Sequence, residues 1–164
     1  MKIILFKSYI LKVALYIFGL FVLISCSNKQ TTEQYKVFSE QKWNTDSVVV
    51  FSLNKKDSIT PQDIVLKIRH STEYKFQNLY VFTLFRGFVD TVEIVLSEKN
   101  GKWLGKGFGD VREIDVVLMK NVVLETNSKN KIIIEQAMRY GDSSEITNLD
   151  GIIAVGISTH KTNE

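Results

Sequence analysis

The sequence predicts an all-β body, an antiparallel β-sandwich of the jelly-roll or immunoglobulin-like kind, behind an N-terminal export signal. Three observations carry this. From residue 35 onward, stretches of apolar–polar alternation and short apolar runs recur between turn residues. No segment in that range sustains the 3.6-residue period of an amphipathic helix. The strand-like runs also lack the helix-length spacers of βαβ units. The length of 164 residues suits a single domain.

The N-terminus is the first element. Of residues 1–25, 19 are hydrophobic, with Lys2, Lys7 and Lys12 and no acid. Residues 13–25 (VALYIFGLFVLIS) form an uncharged run of 13, shorter than the roughly 20 residues that span a bilayer core. The run ends in Leu23-Ile24-Ser25-Cys26. It looks like a lipobox, with Leu at −3, a small residue at −1, and then a cysteine. Such a signal implies cleavage between Ser25 and Cys26 and a diacylglyceryl group on the Cys26 thiol. Stable anchoring requires more than one acyl chain. An Asp after the cysteine would resemble an inner-membrane retention signal. Ser27 stands there instead and favours the outer membrane. No acidic run follows, so the body is expected to face the periplasm. Residues 27–34 (SNKQTTEQ) are polar and aperiodic and read as a tether. The expected organisation is signal peptide 1–25, lipid-anchored tether 26–34, a single sandwich domain 35–160 and a tail 161–164.

The body follows in order. Asp46–Leu53 is rich in β-branched residues. Asp57–Pro61 is a turn ahead of the next strand. In Asp63–His70, Ile64, Leu66 and Ile68 share one face while Lys67 and Arg69 take the other, so one side should be wet. Asn78–Arg86 is apolar on both faces and should sit centrally. Asp90–Leu96 alternates, and the Asn100-Gly101 pair closes a hairpin whose return strand should be Lys102–Gly105. Further strands are expected at Ile114–Met119, Val122–Leu124, Lys131–Met138 and Gly151–Thr159.

Composition excludes several functions. Removing Lys2, Lys7 and Lys12 from the 21 basic residues leaves 18, equal to the 18 acids. The body is neutral and has no field to hold nucleic acid. The one cysteine, Cys26, permits neither an internal disulfide nor a cysteine-based zinc site. His70 and His160 make a weak metal pair and read better as exposed histidines at strand ends. No G-x-S-x-G is present. Asp90, Glu93, Asp110, Glu113 and Asp115 are carboxylates for glycosidic chemistry only in a loose sense, since charge on solvated faces explains them.

The run Gly101-Lys-Trp103-Leu-Gly105-Lys-Gly107-Phe-Gly109 lacks both the order and the following helix of a phosphate loop. Gly101 suits the left-handed turn position. Gly105, Gly107 and Gly109 suit bulges or a crossing where a side chain would clash. Trp43 and Trp103 fit core packing better than a sugar platform, although a membrane-anchored peptidoglycan or glycan-binding module is the alternative they raise. In Gln136-Ala-Met138-Arg139, Gln136 is placed to pin backbone groups and Arg139 to pair with an acid. Trp43, Gly101, Trp103, Gly105, Gly107, Gln136, Met138 and Arg139 are the candidate interaction or structural motif. No catalytic set, metal or cofactor is expected beyond the covalent lipid.

With these residues in view, the chain resembles the GldH-type gliding-motility lipoproteins of Bacteroidetes. The matching pieces are the lipobox at Cys26, Trp43-Asn44 with Asp46 and Phe51, Arg69 to Tyr74, Asn78-Leu79 and Asp90-Thr91. They continue through Gly101 to Gly107, Glu135-Gln136-Ala-Met138-Arg139 and Gly151-Ile-Ile-Ala-Val155-Gly156. The resemblance implies a non-enzymatic accessory of the gliding apparatus and of type IX secretion. It also implies partners among other envelope lipoproteins of that apparatus.

Overall fold

The computed structural model describes residues 32–53, 60–124, 130–142 and 145–162. Ser25 and Cys26 lie outside the described residues, as do residues 57–59 of the expected turn before Pro61.

Among the described residues the strands are β1 (Thr32–Val37), β2 (Lys42–Asn44), β3 (Val49–Ser52), β4 (Gln62–Ser71) and β5 (Asn78–Phe85). They continue as β6 (Phe88–Val95), β7 (Val111–Val122), β8 (Lys131–Gln136), β9 (Asn148–Asp150) and β10 (Ile152–Lys161), with a 3₁₀ turn at Ser39–Gln41. They form two four-stranded sheets, ordered β1-β10-β4-β7 and β3-β8-β5-β6, and a small pair β2-β9. All pairings are antiparallel. The inner faces of the two large sheets meet in one core. Ile64, Leu66, Ile68, Val155 and Ile157 come from the first sheet; Phe51, Leu79, Val81, Ile132 and Ile134 come from the second. The fold is the predicted antiparallel β-sandwich, and burial of these two apolar faces is its main source of stability.

The structure changes several expectations. Thr32, Glu33 and Gln34, expected in the tether, pair with Thr159, Ser158 and Ile157 of β10. Backbone pairing needs no apolar side chain, so a polar edge strand leaves no hydrophobic signal. Lys161, expected in the tail, likewise pairs with Gln62. The two runs around Ile114 and Val122 are one strand, β7, bulged against β4 near Gln62 and Ile64. At the Asn-Gly turn, Gly101 N–H donates to Glu98 O at 2.9 Å and φ at Gly101 is +86°. The return is shorter than expected, an isolated bridge between Ser97 and Trp103 instead of a strand.

The second face of β4 is not wet. Lys67 is buried at 8% exposure and Val65 at 7%. Tyr35 of β1 covers this face by lying over Gly156 of β10, the residue between Tyr35 and Lys67 in register. Lys67 Nζ stands 2.9 Å from Glu33 Oε1 and 3.0 Å from Asp115 Oδ1. Arg69 donates to Glu113 Oε2 from Nη2 at 2.6 Å and from Nε at 3.0 Å. The Tyr35 hydroxyl donates to the same oxygen at 3.1 Å, and Arg69 sits 4.7 Å above the Tyr35 ring. The outer face of the first sheet is thus a closed ion-pair lattice. Burial alone would lower the Lys67 pKa, but the Glu33 and Asp115 carboxylates overcome it and raise it. Burial, joined by the Glu113 carboxylate, pushes the Tyr35 hydroxyl up to about 12.

Candidate interaction surface

The motif residues singled out from sequence are mostly structural. Trp43 is fully buried, stacked on Phe38 at 5.1 Å, and its Nε1–H donates to Ser47 O at 2.9 Å. Trp103 is half-buried with its ring 4.8 Å from that of His70. Trp43 is thus closed to a sugar ring, while Trp103 keeps part of its surface exposed. Gly105 and Gly107 flank Lys106, whose backbone exchanges two hydrogen bonds with Glu113 of β7, at 2.8 and 2.7 Å. A Cβ on Gly105 would overlap the Glu113 carbonyl, and one on Gly107 the Val111 carbonyl. Gly105 and Gly107 let the chain cross the edge of β7, as the sequence suggested, whereas a Cβ on Gly109 would meet nothing and only its positive φ favours glycine there.

Gln136 and Met138 point inward, and both are buried. The Gln136 amide donates to Ile146 O at 2.5 Å and accepts from Met138 N–H at 3.0 Å, pinning two backbone segments. Arg139 points outward and is exposed, and it has no ion pair among the described residues. Among the described residues no acid meets it, contrary to expectation.

The histidines also differ from expectation. His70 is fully buried, because β4 delivers it beneath Trp103 and Tyr74. Its Nδ1–H donates to Ser71 O at 2.9 Å, while Nε2 has no hydrogen-bond partner among the described residues. Burial lowers its pKa, with Arg112 adding to the shift. His160 is half-buried, and its Nε2 lies 2.9 Å from Ser158 Oγ. Its register partner is Asp63, so the two histidines stand at opposite ends of β4 and do not meet. Among the described residues no group of three or more His, Cys, Asp or Glu is placed to hold a metal. Glu113 and Asp115 belong to the ion lattice of the first sheet, and Asp90 and Glu93 lie on β6 of the other. Glu113 and Asp115 converge on one ammonium, Lys67, which occupies the space between them, and Asp110 is exposed in the turn before β7.

What the sequence did not indicate is the outer face of the second sheet. β5 is interior to that sheet, as its apolar composition predicted. Only its inner face is buried, however, and Tyr80, Phe82 and Leu84 on the outer face remain half-exposed. The register places Val50, Ile133, Leu84 and Val89 in one row across all four strands. Phe82, between Glu135 and Thr91, forms the next row. Tyr80 and Glu93 form a third, where the Glu93 carboxylate holds the Tyr80 hydroxyl above its ordinary pKa. A shallow cleft of about 400 Å³ opens on this face, lined by Tyr80, Phe82, Thr91, Ala137 and Arg139. The period-two pattern of β5 shows that both faces are apolar but not whether a second layer covers them. Contiguous apolar surface of this kind marks an interaction site.

The two outer faces therefore differ in kind. The first is charged and internally satisfied; the second is apolar and open, with a free guanidinium at its border.

Comparison with known proteins shows the family. Residues 30–159 match the family described as GldH lipoprotein. A gliding motility lipoprotein GldH homolog of Christiangramia forsetii is 36% identical over 157 residues, covering 92% of this chain and 96% of that protein. The gliding motility lipoprotein GldH of Flavobacterium johnsoniae is 32% identical over 141 residues, covering 82% of this chain and 87% of that protein. Among solved structures, a chain from infectious bursal disease virus Gx strain is 13% identical. That match covers 82% of this chain and 34% of the viral one at a TM-score of 0.29, which relates neither fold nor function. With its family matched over most of its length, this chain belongs to the GldH lipoprotein family.

Proposed function

We propose that this chain is a lipid-anchored, non-enzymatic accessory of the gliding motility and type IX secretion apparatus. It is held at the periplasmic side of the outer membrane by an acylated Cys26 and works by binding other envelope proteins of that apparatus. The family places it among gliding lipoproteins, and the uncovered apolar face of the second sheet carries the interaction reading. A sandwich that only had to be soluble would place polar residues opposite its core at Leu84, Phe82 and Ile133.

The test is made in the native host. Deleting the gene should stop surface spreading and secretion. Replacing Val50 and Leu84 together with Arg should do the same while leaving the purified protein folded and its melting temperature within a few degrees of the parent. Normal movement and secretion in the Val50→Arg/Leu84→Arg strain would remove the surface from consideration, and in the deletion strain would remove the function. Separately, Cys26→Ser should abolish incorporation of labelled palmitate. Equal labelling of parent and variant would refute the anchor.

A further inference from the structure

We infer that one end of the sandwich itself seats on the lipid bilayer, with the β5–β6 hairpin tip entering the headgroup layer. This rests on the acylated Cys26 proposed above and adds a second, protein-borne membrane contact.

The strand pairing defines that end. Thr32 pairs with Thr159, and Thr159 pairs with Ile64. Gln62 pairs with Val122, which brings the close of β7 to the same end. The second sheet joins it there. Arg86, in the turn between β5 and β6, donates from Nη2 to Val123 O at 2.8 Å and to Asn130 Oδ1 at 2.8 Å. Gln34 Nε2 donates to Ser52 O at 2.9 Å. The hairpin tip, the start of β8 and the first residue of β1 are therefore neighbours.

The chain leading to that end is short. Only residues 27–31 separate Cys26 from Thr32, because β1 begins earlier than composition suggests. Even fully extended, that link spans at most about 20 Å. A lipid on Cys26 therefore keeps the first residue of β1 within about 20 Å of the bilayer surface.

The chemistry exposed there suits a bilayer. Phe88 is 80% exposed and Val89 69%, and the two point to opposite faces of β6, so the hairpin tip carries apolar side chains on both sides. Val123 beside them is also exposed. Around these stand the exposed Lys120, Lys131 and Lys161, with no ion pair among the described residues. The acids nearby are engaged. Asp63 accepts from Asn121 N–H at 3.0 Å and Thr162 Oγ1 at 2.8 Å, which hold its carboxyl below the usual range. Asp90 accepts from Thr91 N–H at 2.8 Å, and Glu33 is bound to Lys67. Protruding aromatic and aliphatic side chains ringed by free lysines match the boundary between anionic headgroups and acyl chains.

The experiment uses the full acylated protein in vesicles of phosphatidylethanolamine and phosphatidylglycerol carrying a spin label high on the acyl chain. With Cys26 acylated, a single introduced cysteine is the sole free thiol for an environment-sensitive dye. Phe88→Cys marks the hairpin tip. Lys75→Cys marks the opposite end, beyond the close of β4. The spin-labelled lipid should quench the dye at position 88 about threefold more strongly than at position 75. Equal quenching, on protein that floats with the vesicles, overturns the seating alone. Parent protein that takes up dye at Cys26, or fails to float, overturns the anchor and the seating together.

Discussion

The ring of Tyr35 lies over Gly156 so closely that a Cβ at that glycine would stand 2.5 Å from two ring carbons. This contact lets β1 reach across β10 to the Arg69–Glu113 pair, and so closes the ion lattice on the outer face of the first sheet. Gly156→Ala should displace the ring and cost about 2 kcal/mol of stability, read as a lower urea midpoint at unchanged slope. Adding Tyr35→Ala should recover part of that loss. A double variant weaker by the full sum of both changes would show that the contact is not the cause.

Gly105 and Gly101 make a matched contrast. Both have positive φ, at +80° and +86°. Only Gly105 sits against backbone, the Glu113 carbonyl, whereas Gly101 faces open space. Gly101→Ala should cost about 1 kcal/mol through backbone strain alone, while Gly105→Ala should cost more than about 3 kcal/mol. Thermal unfolding of the two variants side by side decides this, and equal losses would refute the crossing geometry.

Lys67 is nearly enclosed by three carboxylates, with its side chain 10% exposed. Lys67→Met leaves those acids facing one another with Arg69 as their remaining partner. The expected loss is about 3 kcal/mol at pH 7. Denaturant titrations of parent and variant measure it, and a loss below about 1 kcal/mol would show that the three acids do not depend on this ammonium.

His70 supplies a pH dependence with a definite sign. Its folded pKa is lowered by burial, so below about pH 6.5 the unfolded chain binds a proton that the folded chain resists. Its contribution is complete above that pH and is lost progressively as pH falls toward the folded value. Protonation would place a second N–H⁺ at Nε2, without a hydrogen-bond partner among the described residues, beneath Trp103 and Tyr74 and within reach of the Arg112 charge. His70→Phe should reduce the fall in melting temperature between pH 7 and pH 5. An unchanged slope would mean that other groups set it.

Much of the architecture was legible in the residues. Alternation in Ile64, Leu66 and Ile68 marked the core face of β4, and the Asn-Gly pair marked a turn that forms as expected. β1 and β2 were not legible, because Thr32–Gln34 are polar and Lys42–Asn44 are only three residues long. Their pairing comes from partners far along the chain. The burial of His70 was equally hidden: its strand position was clear, but Trp103, which roofs it, lies 33 residues away.

Local sequence by itself determined the class of fold and the inner face of each long strand. It also determined the need for glycine at turns and crossings, because side-chain period and φ restriction act between neighbours. The tertiary structure alone decided which second faces were covered. Lys67 looked solvated yet is enclosed beside Tyr35, and Phe82 and Leu84 looked enclosed yet lie half-exposed. Coverage depends on what another part of the chain lays over a sheet, and the alternation of a strand carries no record of its neighbours in space.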